Sequence, residues 1–175
     1  MRDPDFALVE ATARGDRKAF EALVRRYQAP LLNFIFRYVG DRGTAEDLAQ
    51  EVFLRVYRAA ARFEARARVS TWIFKIAYNL CMNEVKRRSR VEALDPEAAG
   101  KLVAPPSGRE AEMDVMAALG QLPEKQRAAL LLRANEGLSY REIAEVLELT
   151  VPGVESLIFR ARRNLKQALE KAEKE

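Results

Sequence analysis

Ser139-Tyr140-Arg141-Glu142-Ile143-Ala144-Glu145-Val146-Leu147-Glu148-Leu149-Thr150-Val151-Pro152 contains two helix starts within one short run. Ser139 and Glu142 have the Ser-x-x-Glu spacing of a capping box, in which each side chain satisfies an orphan backbone donor of the first turn. Ile143, Ala144 and Leu147 then fall on one face, and Ala144 is small enough for a close helix contact. A tight turn is expected at Glu148-Leu149, with Thr150 as the next N-cap and Pro152 in the first turn, where a missing N–H costs nothing. In the second helix Val154, Leu157, Ile158, Ala161 and Leu165 share the core face, while Glu155, Ser156, Phe159, Arg160, Arg163 and Lys166 point outward. Two capped amphipathic helices at this spacing predict a helix-turn-helix rather than a plain helical hairpin. In that motif the early residues of the second helix reach base edges in the major groove, and the cations further along hold phosphates.

Working back along the chain, Glu92 to Ala111 holds Pro96, Gly100, Pro105, Pro106 and Gly108 with no sustained apolar period, which reads as a flexible linker. Two helical lobes follow from it, residues 1–91 and 112–175, and the fold class is all-α. In the first lobe apolar residues recur at helical spacing, with punctuation at Gly15-Asp16, near Pro30 and at Gly40 to Gly43. A helix capped by Thr44 is expected to bury Ala45, Leu48, Ala49, Val52, Phe53, Val56 and Tyr57. Its other face shows Asp47, Gln50, Glu51, Leu54, Arg55 and Arg58, so Leu54 is an apolar residue amid polar ones. A further helix starting near Ser70 turns Trp72, Ile73, Ile76, Ala77, Leu80 and Cys81 inward. Its outer face carries Lys75, Tyr78, Asn79, Met82, Asn83, Lys86 and Arg87. Cations and amides beside a π surface suit unstacked bases, although Tyr78 is equally placed to close the core.

Charge agrees with that placement. The chain has 175 residues and a formal charge of +4. Phe63 to Arg90 holds seven basic and two acidic residues, whereas Ser139 to Glu175 holds seven of each, so the cationic excess sits mid-chain, as a phosphate-neutralising surface requires. The absence of histidine and the single cysteine, Cys81, remove the commonest general base and any internal disulfide. Asp47 and Glu51 share a face without a third ligand, which disfavours a metal-dependent nuclease. No cofactor, metal or small-molecule substrate is expected. With neither a membrane-length apolar run nor a signal peptide in the sequence, a cytoplasmic protein is expected.

Thr44-Ala45-Glu46-Asp47-Leu48-Ala49-Gln50-Glu51-Val52-Phe53-Leu54 and Ser70-Thr71-Trp72-Ile73-Phe74-Lys75-Ile76-Ala77-Tyr78-Asn79 resemble the two signature stretches of bacterial extracytoplasmic-function (ECF) sigma factors, the smallest class of the sigma-70 family. Leu122-Pro123-Glu124-Lys125-Gln126-Arg127, Leu138 to Ala144 and Phe159 to Leu165 resemble that family's second promoter-reading domain. The resemblance implies a non-enzymatic subunit that binds the core of bacterial RNA polymerase and directs it to promoter DNA in transcription initiation, often in a stress response. Asp47, Gln50, Glu51, Leu54 and Arg55 would then dock on polymerase. The loop from Phe63 to Val69, with Arg66 and Arg68, would read the minus-ten element together with Lys75, Tyr78, Asn79, Asn83, Lys86, Arg87 and Arg88. Arg141, Glu155, Ser156, Phe159, Arg160 and Arg163 would approach the minus-thirty-five element. The resemblance also implies an anti-sigma factor, often part of a membrane-anchored protein, and a monomer when free.

Three positions depart from the family pattern. Glu155 and Leu157 stand where many members carry cations, which implies weaker phosphate affinity in this lobe. Glu148 stands at a turn position often held by glycine or asparagine, where a left-handed backbone would cost about 1–2 kcal/mol. The rival expectation is a free-standing helix-turn-helix regulator that binds duplex DNA as a dimer without polymerase.

Overall fold

The computed structural model describes residues 3–98, 110–134 and 136–174. Eight α-helices account for most of them: α1 (Phe6–Ala13), α2 (Arg17–Val39), α3 (Arg42–Ala59), α4 (Val69–Leu94), α5 (Glu110–Gln121), α6 (Glu124–Ala134), α7 (Tyr140–Leu147) and α8 (Val151–Ala172). No strand occurs among the described residues.

Local chemistry explains most boundaries. Asp16 starts α2 by accepting from the amides of Lys18 and Ala19 at 2.9 and 3.2 Å. Gly40 ends it with φ 78°, a left-handed conformation in which glycine carries no Cβ penalty. The break expected near Pro30 is absent, because α2 runs through it. Proline costs about 3 kcal/mol inside a helix, and the burial of Leu23, Tyr27, Leu31, Phe34 and Ile35 along that helix offsets it. The expected Thr44 cap is also displaced. Asp41 is the N-cap of α3, and Thr44 is the residue whose amide it accepts, at 2.8 Å.

In the first lobe α2, α3 and α4 bury Phe34, Ile35, Tyr38, Val52, Val56, Ile73, Phe74, Ala77 and Cys81 against one another. In the second, α5 to α8 bury Leu119, Leu132, Ile143, Val146, Leu147, Val154, Ile158 and Ala161. The expected linker is shortened from both sides. α4 continues to Leu94, a 3-10 turn spans Pro96–Ala98, and α5 already begins at Glu110; the intervening residues 99–109 lie outside the described ones.

The lobes pack on each other, with α7 against α4 and with α5 and α6 against the C-terminal end of α2. Arg127, at the start of α6, bridges them. Its Nη1 donates to the Tyr38 carbonyl at 2.7 Å, and its other donors reach the carbonyls of Leu119, Gly120 and Leu122 at 2.8, 3.0 and 3.2 Å. Its guanidinium also lies 5.4 Å from the Tyr38 ring centroid. Burial pushes the Arg127 pKa down, yet every acceptor it meets favours the cation.

Candidate nucleic-acid interface

The helix-turn-helix is built by its own sequence. Ser139 accepts from the Glu142 amide at 3.1 Å while the Glu142 carboxylate accepts from the Ser139 amide at 2.7 Å, completing the capping box. Thr150 caps α8 through the Gly153 amide at 3.2 Å. Between them Glu148 sits at φ 56°, ψ 48°, so the non-glycine residue does take the left-handed turn. The Leu149 amide closes that turn on the Ala144 carbonyl at 2.9 Å. Glu155, Ser156, Phe159, Arg160 and Arg163 on α8 are exposed, as is Arg141 on α7, and Phe159 is 69% exposed. Leu157 lies in the core, so the loss of a cation there reflects packing rather than a changed phosphate contact.

On α4 the expected outer face divides. Asn79, Asn83, Lys86 and Arg87 are exposed, and Lys75 is half-buried. Tyr78 is only 4% exposed and meets Tyr38 edge-on at 6.2 Å, so of its two readings the core one holds. Its phenol is pushed to higher pKa first by burial and then by Glu124, which keeps it a neutral core group. The aromatic surface on this side comes instead from Trp72, expected inward but half-buried, whose ring packs at a tilt against Phe63 at 4.6 Å. These two rings, with Arg62, Arg66, Thr71 and Lys75, line an open cavity of about 410 Å³ that Glu145 of α7 faces.

Arg88 is committed inside the lobe. It donates to the Val39 carbonyl at 2.9 Å, to Thr44 Oγ1 at 2.8 Å and to Glu84 at 3.0 Å, which ties α4 to the α2–α3 junction. Arg87 also pairs with Glu84, at 2.8 Å, but remains exposed. That pairing, ahead of the Arg88 contribution, holds the Glu84 carboxyl below its ordinary pKa.

Two cations of the expected minus-ten surface face acids of α7 and of its C-cap. Arg68 lies 3.4 Å from Glu142, and Lys75 lies 3.6 Å from Glu148. The departure at Glu148 therefore places a carboxylate over α4 as well as straining the turn. Nothing in the local sequence signals this, because the partners are more than 70 residues apart.

The ridge on α3 is exposed along Asp47, Gln50, Leu54 and Arg55, with Glu51 half-buried and 3.0 Å from Arg55. Leu54 is 48% exposed, and so is Tyr57, which was expected in the core. Phe20 of α2 meets the Tyr57 ring edge-on at 5.1 Å. An apolar strip thus continues past Leu54, and the i,i+3 spacing of Leu54 and Tyr57 is the sequence signal for it.

Residues 23–91 match the family model described as Sigma-70 region 2, and residues 112–165 match Sigma-70, region 4. The RNA polymerase sigma-H factor of Pseudomonas aeruginosa is 38% identical, across 97% of this chain and 95% of its own length. The ECF RNA polymerase sigma-E factor of Escherichia coli K12 is 36% identical across 90% of each. Among solved structures, CnrH in complex with the cytosolic domain of CnrY aligns with TM-score 0.76 and 27% identity over 97% of this chain and 99% of that one. Matches to both lobes in the family's order, with relatives similar along nearly their whole length, show that the chain belongs to the sigma-70 family, in its extracytoplasmic-function (ECF) group.

Proposed function

We propose that this chain is a promoter-specificity subunit that binds the core of bacterial RNA polymerase and directs initiation at promoters by reading minus-thirty-five and minus-ten DNA and aiding melting. The observation that carries this reading is the presence, on one chain of this family, of an apolar-acidic ridge on α3 and a fully exposed recognition face on α8.

In this reading residues 1–91 form the polymerase-docking and minus-ten domain, 92–111 the linker and 112–175 the minus-thirty-five domain. Asp47, Gln50, Glu51, Leu54 and Arg55, extended by Tyr57, contact polymerase. Phe63, Arg66, Arg68, Lys75, Asn79, Asn83, Lys86 and Arg87 meet minus-ten DNA, with Trp72 supplying the stacking surface in place of Tyr78. Arg141, Glu155, Ser156, Phe159, Arg160 and Arg163 meet minus-thirty-five DNA. Because Arg68 and Lys75 are paired with Glu142 and Glu148, phosphates have to displace those carboxylates, which lowers the affinity that each of these contacts adds.

The chain performs no chemistry of its own and acts where polymerase is, in the cytoplasm; no described helix is long and apolar enough to cross a membrane. An anti-sigma protein is a further partner, in keeping with a fold neighbour solved together with the cytosolic domain of another protein.

The test is transcription in vitro from a genomic promoter library with purified bacterial core polymerase, the wild-type chain or Leu54→Asp. New start sites are expected only with the wild type, and the variant weakens core binding about 30-fold, the scale of an interface hot spot. Duplex binding as a dimer, with no start sites, would replace this reading with the free-standing regulator.

A further inference from the structure

The loop from Phe63 to Arg68 has no regular structure of its own and carries Arg66 and Arg68 into solvent. Its upstream end is anchored by aromatic packing, with Phe63 on Trp72 at 4.6 Å and on Phe6 of α1 at 6.1 Å. Its downstream end runs into α4 at Arg68, an N-cap whose side chain makes no capping bond. A helix start leaves its first amides without partners, and an uncapped one frays.

That capping bond comes from the far end of the chain. Asp3 Oδ2 accepts from the Val69 amide at 2.7 Å, across 66 residues of sequence. The other oxygen, Oδ1, accepts from the Asp5 amide at 3.0 Å, and the Asp3 carbonyl accepts from Phe6 at 3.0 Å, so one residue joins the starts of α1 and α4. A carboxylate at a helix start also meets the positive end of the helix dipole. The segment is itself held. Asp5 is 3% exposed, accepts a hydrogen bond from the Tyr27 hydroxyl and is ion-paired with Arg26, both on α2. Asp3, Phe6, Phe63, Arg66 and Arg68 together border an open cavity of about 360 Å³ beside the loop. Each Asp3 oxygen is engaged by a backbone amide, so the carboxylate clips two backbone segments together.

We propose that Asp3 is a positioning residue for minus-ten recognition, clipping the first turn of α4 to α1 so that the loop presents Phe63, Arg66 and Arg68 in one fixed geometry. The proposal rests on the promoter-reading function above. Without the clip the Val69 amide loses its partner, the first turn of α4 frays, and the loop samples geometries that contact different bases equally.

The test uses the full chain in reconstituted holoenzyme on promoters with a randomised minus-ten element, measuring base discrimination at each position. Asp3→Ala is expected to lower discrimination at the loop-read positions about five-fold, the scale of a lost N-cap, with core binding and minus-thirty-five dependence unchanged. Asp3→Asn, which keeps one oxygen for the Val69 amide, is expected to recover most of the loss. Asp16→Ala removes a cap of the same chemistry from α2, beyond the C-terminal end of α1. It is expected to lower Tm while leaving discrimination intact. Wild-type discrimination in Asp3→Ala, or an equal loss in Asp16→Ala, would overturn the proposal and leave the promoter-reading function standing. A wild-type holoenzyme indifferent to minus-ten sequence would overturn both.

Discussion

α4 and the α7–α8 pair both present candidate DNA-reading faces, and they are started in opposite ways. α7 and α8 receive their caps from Ser139 with Glu142 and from Thr150, all within one turn of the helices they start. α4 receives its cap from Asp3, at the other end of the lobe. A self-capped helix keeps its boundary whenever its own residues are present. A helix with a borrowed cap keeps it only while the lobe is folded, so its geometry reports on tertiary contacts. The second lobe is therefore built to be placed as a unit, and the first to hold its loop in register with its core.

The largest effect that could break this contrast is at Arg127, because its guanidinium joins the self-capped lobe to the other one. Arg127→Ala leaves several carbonyls without their donor and is expected to cost about 3 kcal/mol, since hydrogen bonds to charged groups are each worth about 1.5–3 kcal/mol. Denaturant unfolding checks the size. Small-angle scattering should show the lobes separating, and an unchanged radius of gyration would mean that α4 and α7 hold the lobes together without it.

Ser139→Ala comes next and sharpens the contrast directly. Loss of the cap is expected to cost about 1 kcal/mol, with faster amide exchange confined to α7 and the turn. Exchange spreading into α4 would show that the second lobe depends on the first after all.

Glu148→Gly is expected to stabilise the chain by about 1 kcal/mol, because glycine adopts φ 56° without the Cβ clash that glutamate meets. The lost Lys75 pair offsets little of that, since exposed pairs contribute about 0–1 kcal/mol. The same substitution frees Lys75, so the variant should bind minus-ten DNA at a higher salt concentration than the wild type. Thermal unfolding and a salt titration of oligonucleotide binding check the two halves separately.

A pH dependence tests the same packing by another route. Burial raises the Glu136 carboxyl to about 7, while an unfolded glutamate titrates near 4.3. Between those values the folded state binds the proton and the unfolded state does not, so this residue lowers stability as pH rises through that window and no further above it. Glu136→Gln should raise Tm at pH 8 and leave it nearly unchanged at pH 4. Asp41 acts in the opposite sense. The Thr44 hydroxyl and amide, and then Arg88, hold its carboxyl low, so its contribution is present above the unfolded value and fades only in acid.

Much of the candidate site was legible where residues that cooperate are also neighbours in sequence. The helix-turn-helix caps, the outward set from Glu155 to Arg163 and the exposed Leu54 follow from periods and caps within a few turns. Tyr57 was misplaced, and Tyr78 was left with two readings, because each sits at the edge of an amphipathic stripe. There the neighbouring helices decide burial: α7 of the second lobe packs on α4, which carries Tyr78.

The sequence by itself determined the helical class, the two capped helices of the reading head and the family, because helix caps and amphipathic periods are local physics repeated along the chain. Only the tertiary structure decided that Asp3 starts α4, that Arg88 turns inward to Val39 and Thr44, and that Glu142 and Glu148 lie over Arg68 and Lys75. Each of those contacts spans more than forty residues. Two polar groups so far apart meet only after the cores beneath them have packed, and no local period records which partner the packing brings.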